Sequence, residues 1–135
     1  MNYWIIPANP RRYNLEGALR ELNGVIDWRQ HNNFEIGDIV YIYCSKPISQ
    51  IVYKMEVIET NITSKDSIAD QKYWETPNEF KTSLSNNRFF RISLLDENIT
   101  EKLSLEDLLN HGLKGAPQGA LKVKQSLLSY LQEIF

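Results

Sequence analysis

Trp28, Arg29, Gln30, His31, Asn32 and Asn33 follow one another without an aliphatic residue among them. Six neighbouring side chains that can all stack on or hydrogen-bond a ligand mark a binding loop. The other tryptophans are Trp4 and Trp74. Trp4 stands in the strand-like run Tyr3-Trp4-Ile5-Ile6 and reads as core, whereas no packing periodicity explains Trp74. Two indole faces can sandwich one nucleobase, and stacking contributes about 1–3 kcal/mol per base. Trp28, beside the polar loop, and Trp74 are the two indoles left to offer such a face. Asn32, Asn33, Ser45 and Gln30 supply amide and hydroxyl groups to read a base edge; a plain turn is the alternative for Asn32 and Asn33.

Patterns for catalysis are missing. The sequence has no Walker or Rossmann glycine loop, and neither His31 nor His111 has a second ligand at metal-binding spacing. Cys44 with His31 would lack an orienting third group, and Cys44 falls inside a strand-like run, where it reads as a small buried hydrophobe. The expectation is a binding domain without enzymatic activity, cofactor or metal. A net charge of −2, from 15 basic and 17 acidic residues, argues against a broad nucleic-acid coat. It leaves room for a local phosphate-binding patch, for which Arg11, Arg12, Lys46, Lys114, Lys122 and Lys124 are the candidates, or for scattered solvated charge. The loop Gly115–Ala120 is expected to open the last helix, whose free N–H groups would hold phosphate; a hinge or cap is the other reading.

The elements that must position these residues follow from periodicity. At 135 residues the chain is expected to form one domain, 1–135. No run approaches the ~18 apolar residues of a membrane span, and the N-terminus lacks the basic and small-residue features of a signal peptide. The single cysteine points to the cytoplasm. Strands are expected over Tyr3–Pro7, Gly24–Trp28, Ile39–Ser45, Ile51–Thr60 and Asn87–Leu95. A turn at Glu35-Ile36-Gly37-Asp38 precedes the central hairpin, and Lys46–Gln50 connects it. Helices are expected from Asn14 as N-cap to Asn23-Gly24, over Leu105–Asn110 with Ser104 as cap, and over Leu121–Ile134. The stretch Asn61–Asn87 shows no periodicity and is expected to be irregular. The fold class is α+β, a small curved β-sheet or partial barrel flanked by helices.

Gly24-Val25…Trp28, Asn32-Asn33, Gly37-Asp38, Tyr43-Cys44-Ser45 and Met55-Glu56-Val57, after an aromatic first strand, resemble the EVE domain, a relative of YTH domains in the PUA-like group. Ile6–Pro10 departs from the commoner EVE pattern at that point. The resemblance is to the specificity domain of McrB-type modification-dependent restriction proteins. It implies recognition of a modified base flipped out of DNA and held between Trp28 and Trp74, with Tyr43 and Ser45 at the strand end lining the pocket, methylated cytosine first and N6-methyladenine second. It also implies fusion to, or association with, a nucleotide-hydrolysing motor and nuclease. A YTH- or PUA-like RNA-binding module and an interaction domain without nucleic acid are the alternatives.

Overall fold

The computed structural model describes residues 1–85 and 88–135. Strand β3, Ile39–Cys44, is buried at all six positions, so the sheet around it is covered on both faces. It lies between β4 (Gln50–Ile62), its antiparallel hairpin partner, and β1 (Tyr3–Ala8), which runs parallel to it. Beyond β4 come β5 (Phe89–Glu97) and then β2 (Val25–Arg29); beyond β1 comes the short β6, Leu121–Lys122. The order β2-β5-β4-β3-β1-β6 makes one mixed, curled six-stranded sheet of the α+β class that the sequence predicts.

Period-two alternation divides the apolar residues between two faces. Trp4, Ile6, Val40 and Ile42 pack with Leu15, Ala18 and Leu19 of helix α1 (Leu15–Glu21). Ile5, Tyr41, Tyr43 and Ile51 pack on the other face with α3 (Leu105–Asn110) and with the last helix, through Leu127 and Leu131. Asn14 and Ser104 cap α1 and α3 as expected, accepting from the N–H groups of Gly17 and Asp107. Gly24 follows α1 at φ +78°, and a Cβ there would come within 3.1 Å of the Leu94 Cβ, so the turn into β2 needs a glycine.

Three expectations are corrected. The stretch Asn61–Asn87 is not irregular throughout: β4 extends to Ile62, a 3-10 turn covers Gln71–Tyr73, and helix α2 covers Pro77–Ser85. Its N-terminal signal is present in Thr76-Pro77-Asn78-Glu79, where the Thr76 hydroxyl accepts from the Glu79 N–H at 3.2 Å and proline takes the first helical position. The last helix, α4, covers only Gln125–Ile134, because Leu121–Lys122 pairs with Trp4 and Ile5 as an edge strand. The 115–120 loop therefore opens onto a strand, not onto a helix terminus. Strand β1 also continues through Pro7, which β6 does not reach, so the missing N–H breaks no pairing on that edge. The expected start of β5 at Asn87 lies outside the described residues.

Asp38 ties the entrance of β3 to that of β1. Its carboxylate is fully buried and accepts three hydrogen bonds, from the Asn2 N–H at 2.9 Å, the Trp4 indole at 3.0 Å and the Glu35 N–H at 3.0 Å. Gly37, at φ +95°, makes the turn that brings it there. Burial alone would raise its pKa, but the donors from Asn2, Glu35 and Trp4 outweigh burial and hold it below the ordinary carboxylate value. A depressed carboxylate stabilises the fold fully above the unfolded value of about 4 and loses that contribution as pH falls through the folded value. Asp38→Ala, which orphans the buried Trp4 indole and two part-buried N–H groups, should cost about 2–3 kcal/mol in urea unfolding, and Asp38→Asn should flatten the acid limb of stability against pH. A urea midpoint for Asp38→Ala equal to that of the parent would refute the central role of this carboxylate.

Candidate functional site

The site is built from two chain segments latched across the end of the sheet. After β1 the chain turns through Asn9–Tyr13, and residues 70–75 lie alongside it. The Asn14 N–H donates to the Tyr73 carbonyl at 2.7 Å, and the Glu75 N–H to the Arg12 carbonyl at 2.8 Å. This pairing sets Trp74 beside Tyr13, with ring centroids 4.9 Å apart and planes at 67°. Trp28, from β2, meets the same Tyr13 ring at 5.6 Å and 87°. The two tryptophans, 46 residues apart in sequence, thus flank one buried tyrosine.

Polar contacts hold the second segment. Asp70 accepts from the Tyr13 hydroxyl at 3.1 Å and from the Trp74 indole at 3.2 Å. Asp27, in β2, is gripped by Arg91 directly across on β5, at 2.7 and 3.0 Å, and also accepts from the Ile68 N–H at 2.7 Å. Burial, reinforced by the Asp27 charge, pushes the Asp70 carboxyl above its ordinary range against the pull of its two donors. Burial and then the neighbouring Asp70 push the Tyr13 phenol far up, so it stays a neutral donor.

Two spaces share these walls. A recess of about 40 Å³ is enclosed by Tyr13, Asp27, Trp28, Arg29, Ser67, Ile68, Asp70, Trp74, Ser83, Leu84 and Phe89. An open cleft of about 350 Å³ shares Tyr13, Trp28, Arg29 and Trp74 with it and adds Pro7, Ala8, Asn9, Arg12, Ser45, Pro117 and Gln118. A second cleft, of about 400 Å³, continues past Asn9, Ser45, Pro117 and Gln118 to Arg11, Tyr43, Lys46, Ser49, Leu105 and Ala116. The two clefts carry Arg11, Arg12, Arg29 and Lys46, and among the described residues no acidic one lines either cleft. Arg12 stands 3.6 Å from the Glu79 carboxylate in an open ion pair, which contributes little.

The expected site residues separate accordingly. Trp28, Trp74, Ser45 and Arg12 come together at the first cleft, and Tyr43, Arg11 and Lys46 stand in the second. Tyr43 is 2% exposed and belongs to the core of the opposite sheet face, so it does not face the indoles. Asn32 and Asn33 line none of these spaces. Gln30 is a structural clamp: it donates to the Asn32 carbonyl and accepts from the Asn61 N–H. Lys114, Lys122 and Lys124 surround a separate depression with Gly112, Leu113 and Gln125. Lys122 pairs with Trp4 near the start of β1, and its ammonium lies 5.4 Å from the centre of the Trp4 ring. The six basic candidates thus share no single patch: they fall into two groups, toward opposite ends of β1. Tyr13 and Asp70 carry no signal of their own in the sequence, since pairing between distant segments places them, whereas Pro117 and Gln118 belong to the 115–120 loop already singled out as a phosphate-binding candidate. Among the described residues no three His, Cys, Asp or Glu side chains are grouped to hold a metal, and no helix is long and apolar enough to cross a membrane.

No protein-family model matches the sequence, and no curated protein matches it. Similarity appears in three dimensions. The chain resembles the ASCH protein of Zymomonas mobilis with a TM-score of 0.66 at 14% identity, over 98% of this chain and 95% of that one. A point variant of the same protein gives 0.69 at 10% identity, over 98% and 96%. A Rhodopseudomonas palustris protein solved by NMR gives 0.66 at 14% identity, over 99% and 92%. At this level of identity the likeness is one of fold, and the present chain has the fold of the Zymomonas mobilis ASCH protein.

Cys44 abuts the site through Ser45 but is itself buried, 4% exposed, and burial pushes its thiol up to about 12. It should therefore resist thiol reagents at pH 8 and react only as fast as the protein opens. Stoichiometric labelling of the folded protein within seconds would contradict this placement.

Proposed function

We propose that this chain is a nucleic-acid-binding module that takes one unstacked base between Trp28 and Trp74 and holds the adjoining phosphates through Arg12, Arg29, Arg11 and Lys46. The observation that supports this most is the lining of the two adjoining clefts. In a chain with 17 acidic residues, they gather four cations, two indoles and no carboxylate. The first cleft is of the size that takes a small ligand, and aromatic side chains flanked by cations are the common means of holding unpaired nucleotides.

In its narrower form the base is a modified one extruded from duplex DNA, methylated cytosine ahead of N6-methyladenine, and the module serves a restriction system whose motor and nuclease lie in other domains or partners. An unpaired base in RNA is the second reading. It is favoured by the small number of cations at the clefts, which suits a footprint of a few nucleotides better than a long duplex.

A binding panel tests both. It comprises one duplex carrying no modification, methylcytosine or N6-methyladenine, with the corresponding DNA and RNA single strands. Trp28→Ala and Trp74→Ala should each weaken the best ligand by about 1–3 kcal/mol. With four cations engaged on a single strand, log affinity should fall against log salt with a slope of about −3. Arg29→Glu and Lys46→Glu should weaken binding, whereas Lys122→Glu, at the far patch, should leave it unchanged. A folded Trp28→Ala protein that binds as tightly as the parent would overturn the base-stacking role.

A further inference from the structure

Hydrogen-bond accounting in the recess behind the indoles specifies which edge of a base can face it. The Tyr13 hydroxyl and Trp74 indole donate to Asp70, and the hydroxyls of Ser67 and Ser83 donate to the carbonyls of Ser64 and Phe80. The remaining side-chain donors among the lining residues belong to Trp28 and Arg29, which also line the cleft that the rest of the ligand would occupy. Asp27 has both oxygens taken by Arg91 and Ile68. Asp70 differs: its oxygens hold the Tyr13 and Trp74 donors with its own N–H beside them, which leaves at least one of about four acceptor positions open, and, unlike Asp27, no cation pairs with it among the described residues. The recess, at about 40 Å³, has room for a substituent of a few atoms and not for a ring.

Resting on the base-binding reading above, we infer that Asp70 is a specificity-determining residue: it accepts a hydrogen bond from the exocyclic amino group of the bound base, so the site selects cytosine or adenine over thymine or uracil. The keto oxygen of thymine or uracil in the same position would face a carboxylate with no donor between them, a pairing that is repulsive and leaves both acceptors unsatisfied. Selection by an amino edge is also compatible with methylation, since N6-methyladenine keeps one N–H and 5-methylcytosine keeps both.

The test uses a five-nucleotide single strand with abasic flanks and one central base. Cytosine and adenine should bind the whole protein about tenfold or more tighter than thymine or uracil, the size of one hydrogen bond to a charged acceptor. Pyrimidin-2-one, which is cytosine without its amino group, should fall to the level of thymine, and this comparison requires no mutant. Asp70→Asn, whose carboxamide offers a donor as well as an acceptor, should reduce the preference for cytosine to under about threefold; Tyr13→Phe, which keeps the carboxylate, should retain it. Equal binding of cytosine, pyrimidin-2-one and thymine overturns the inference while leaving base binding intact, as does an undiminished preference in a folded Asp70→Asn protein. If no base raises affinity above the fully abasic strand, the base-binding reading fails and the inference fails with it.

Discussion

One buried carboxylate fixes the register on which the rest of the sheet depends. Strands β1 and β3 are parallel, so no tight turn can align them, and the connection between them runs through α1 and β2. Three donors converging on Asp38 pin Tyr3 opposite Ile39 at the start of the pair. Because register propagates along a ladder, the same bonds decide that the pair ends with Ala8 opposite Cys44. There Ser45 donates both its N–H and its hydroxyl to the Ala8 carbonyl, and the chain departs through Asn9 to carry Arg12 and Tyr13 to the cleft. A slip of one residue at Asp38 would turn Trp4 away from Phe34 and displace the cleft at the opposite end.

The second constraint acts at the cleft itself. Residues 63–85 have few apolar contacts of their own and are held to the sheet mainly by polar bonds to Asp27, Tyr13 and Asn14, with Tyr73 in the core. A buried cross-strand pair such as Asp27–Arg91 is costly to break because either partner alone would be stranded. Asp27 therefore serves the sheet and the segment at once, while Asp70 remains the less compensated of the two acids.

Sequence patterning made the sheet legible because alternation is a local property. The hairpin Ile39–Thr60, the caps at Asn14 and Ser104, and the core place of Trp4 could all be seen in runs of ten residues or fewer. Helix α2 was equally local, since Thr76-Pro77-Asn78-Glu79 is a capping sequence, but the polar residues around it masked the signal. Leu121–Lys122 could not be told from helix, because two residues carry no period and only the edge of β1 makes them a strand. The association of Trp28 with Trp74 came from a family resemblance and not from spacing. Asn32 and Asn33 looked like ligand groups because polar side chains in a loop look alike, whether they meet a ligand, as Ser45 could, or brace the chain, as Gln30 does. The division of Lys114, Lys122 and Lys124 from Arg11, Arg12 and Lys46 was invisible, since it depends on β6 running back along β1.

That division has a consequence for approach. The chain is slightly acidic as a whole, yet its two adjoining clefts are free of acidic lining. Fixed charges of this kind act as a field over roughly 8 Å at physiological ionic strength. Within that distance an anion at the clefts meets four cations and, among the described residues, no acidic lining to offset them. Such a lining acts before contact, by where repulsion is absent as much as by where attraction is present.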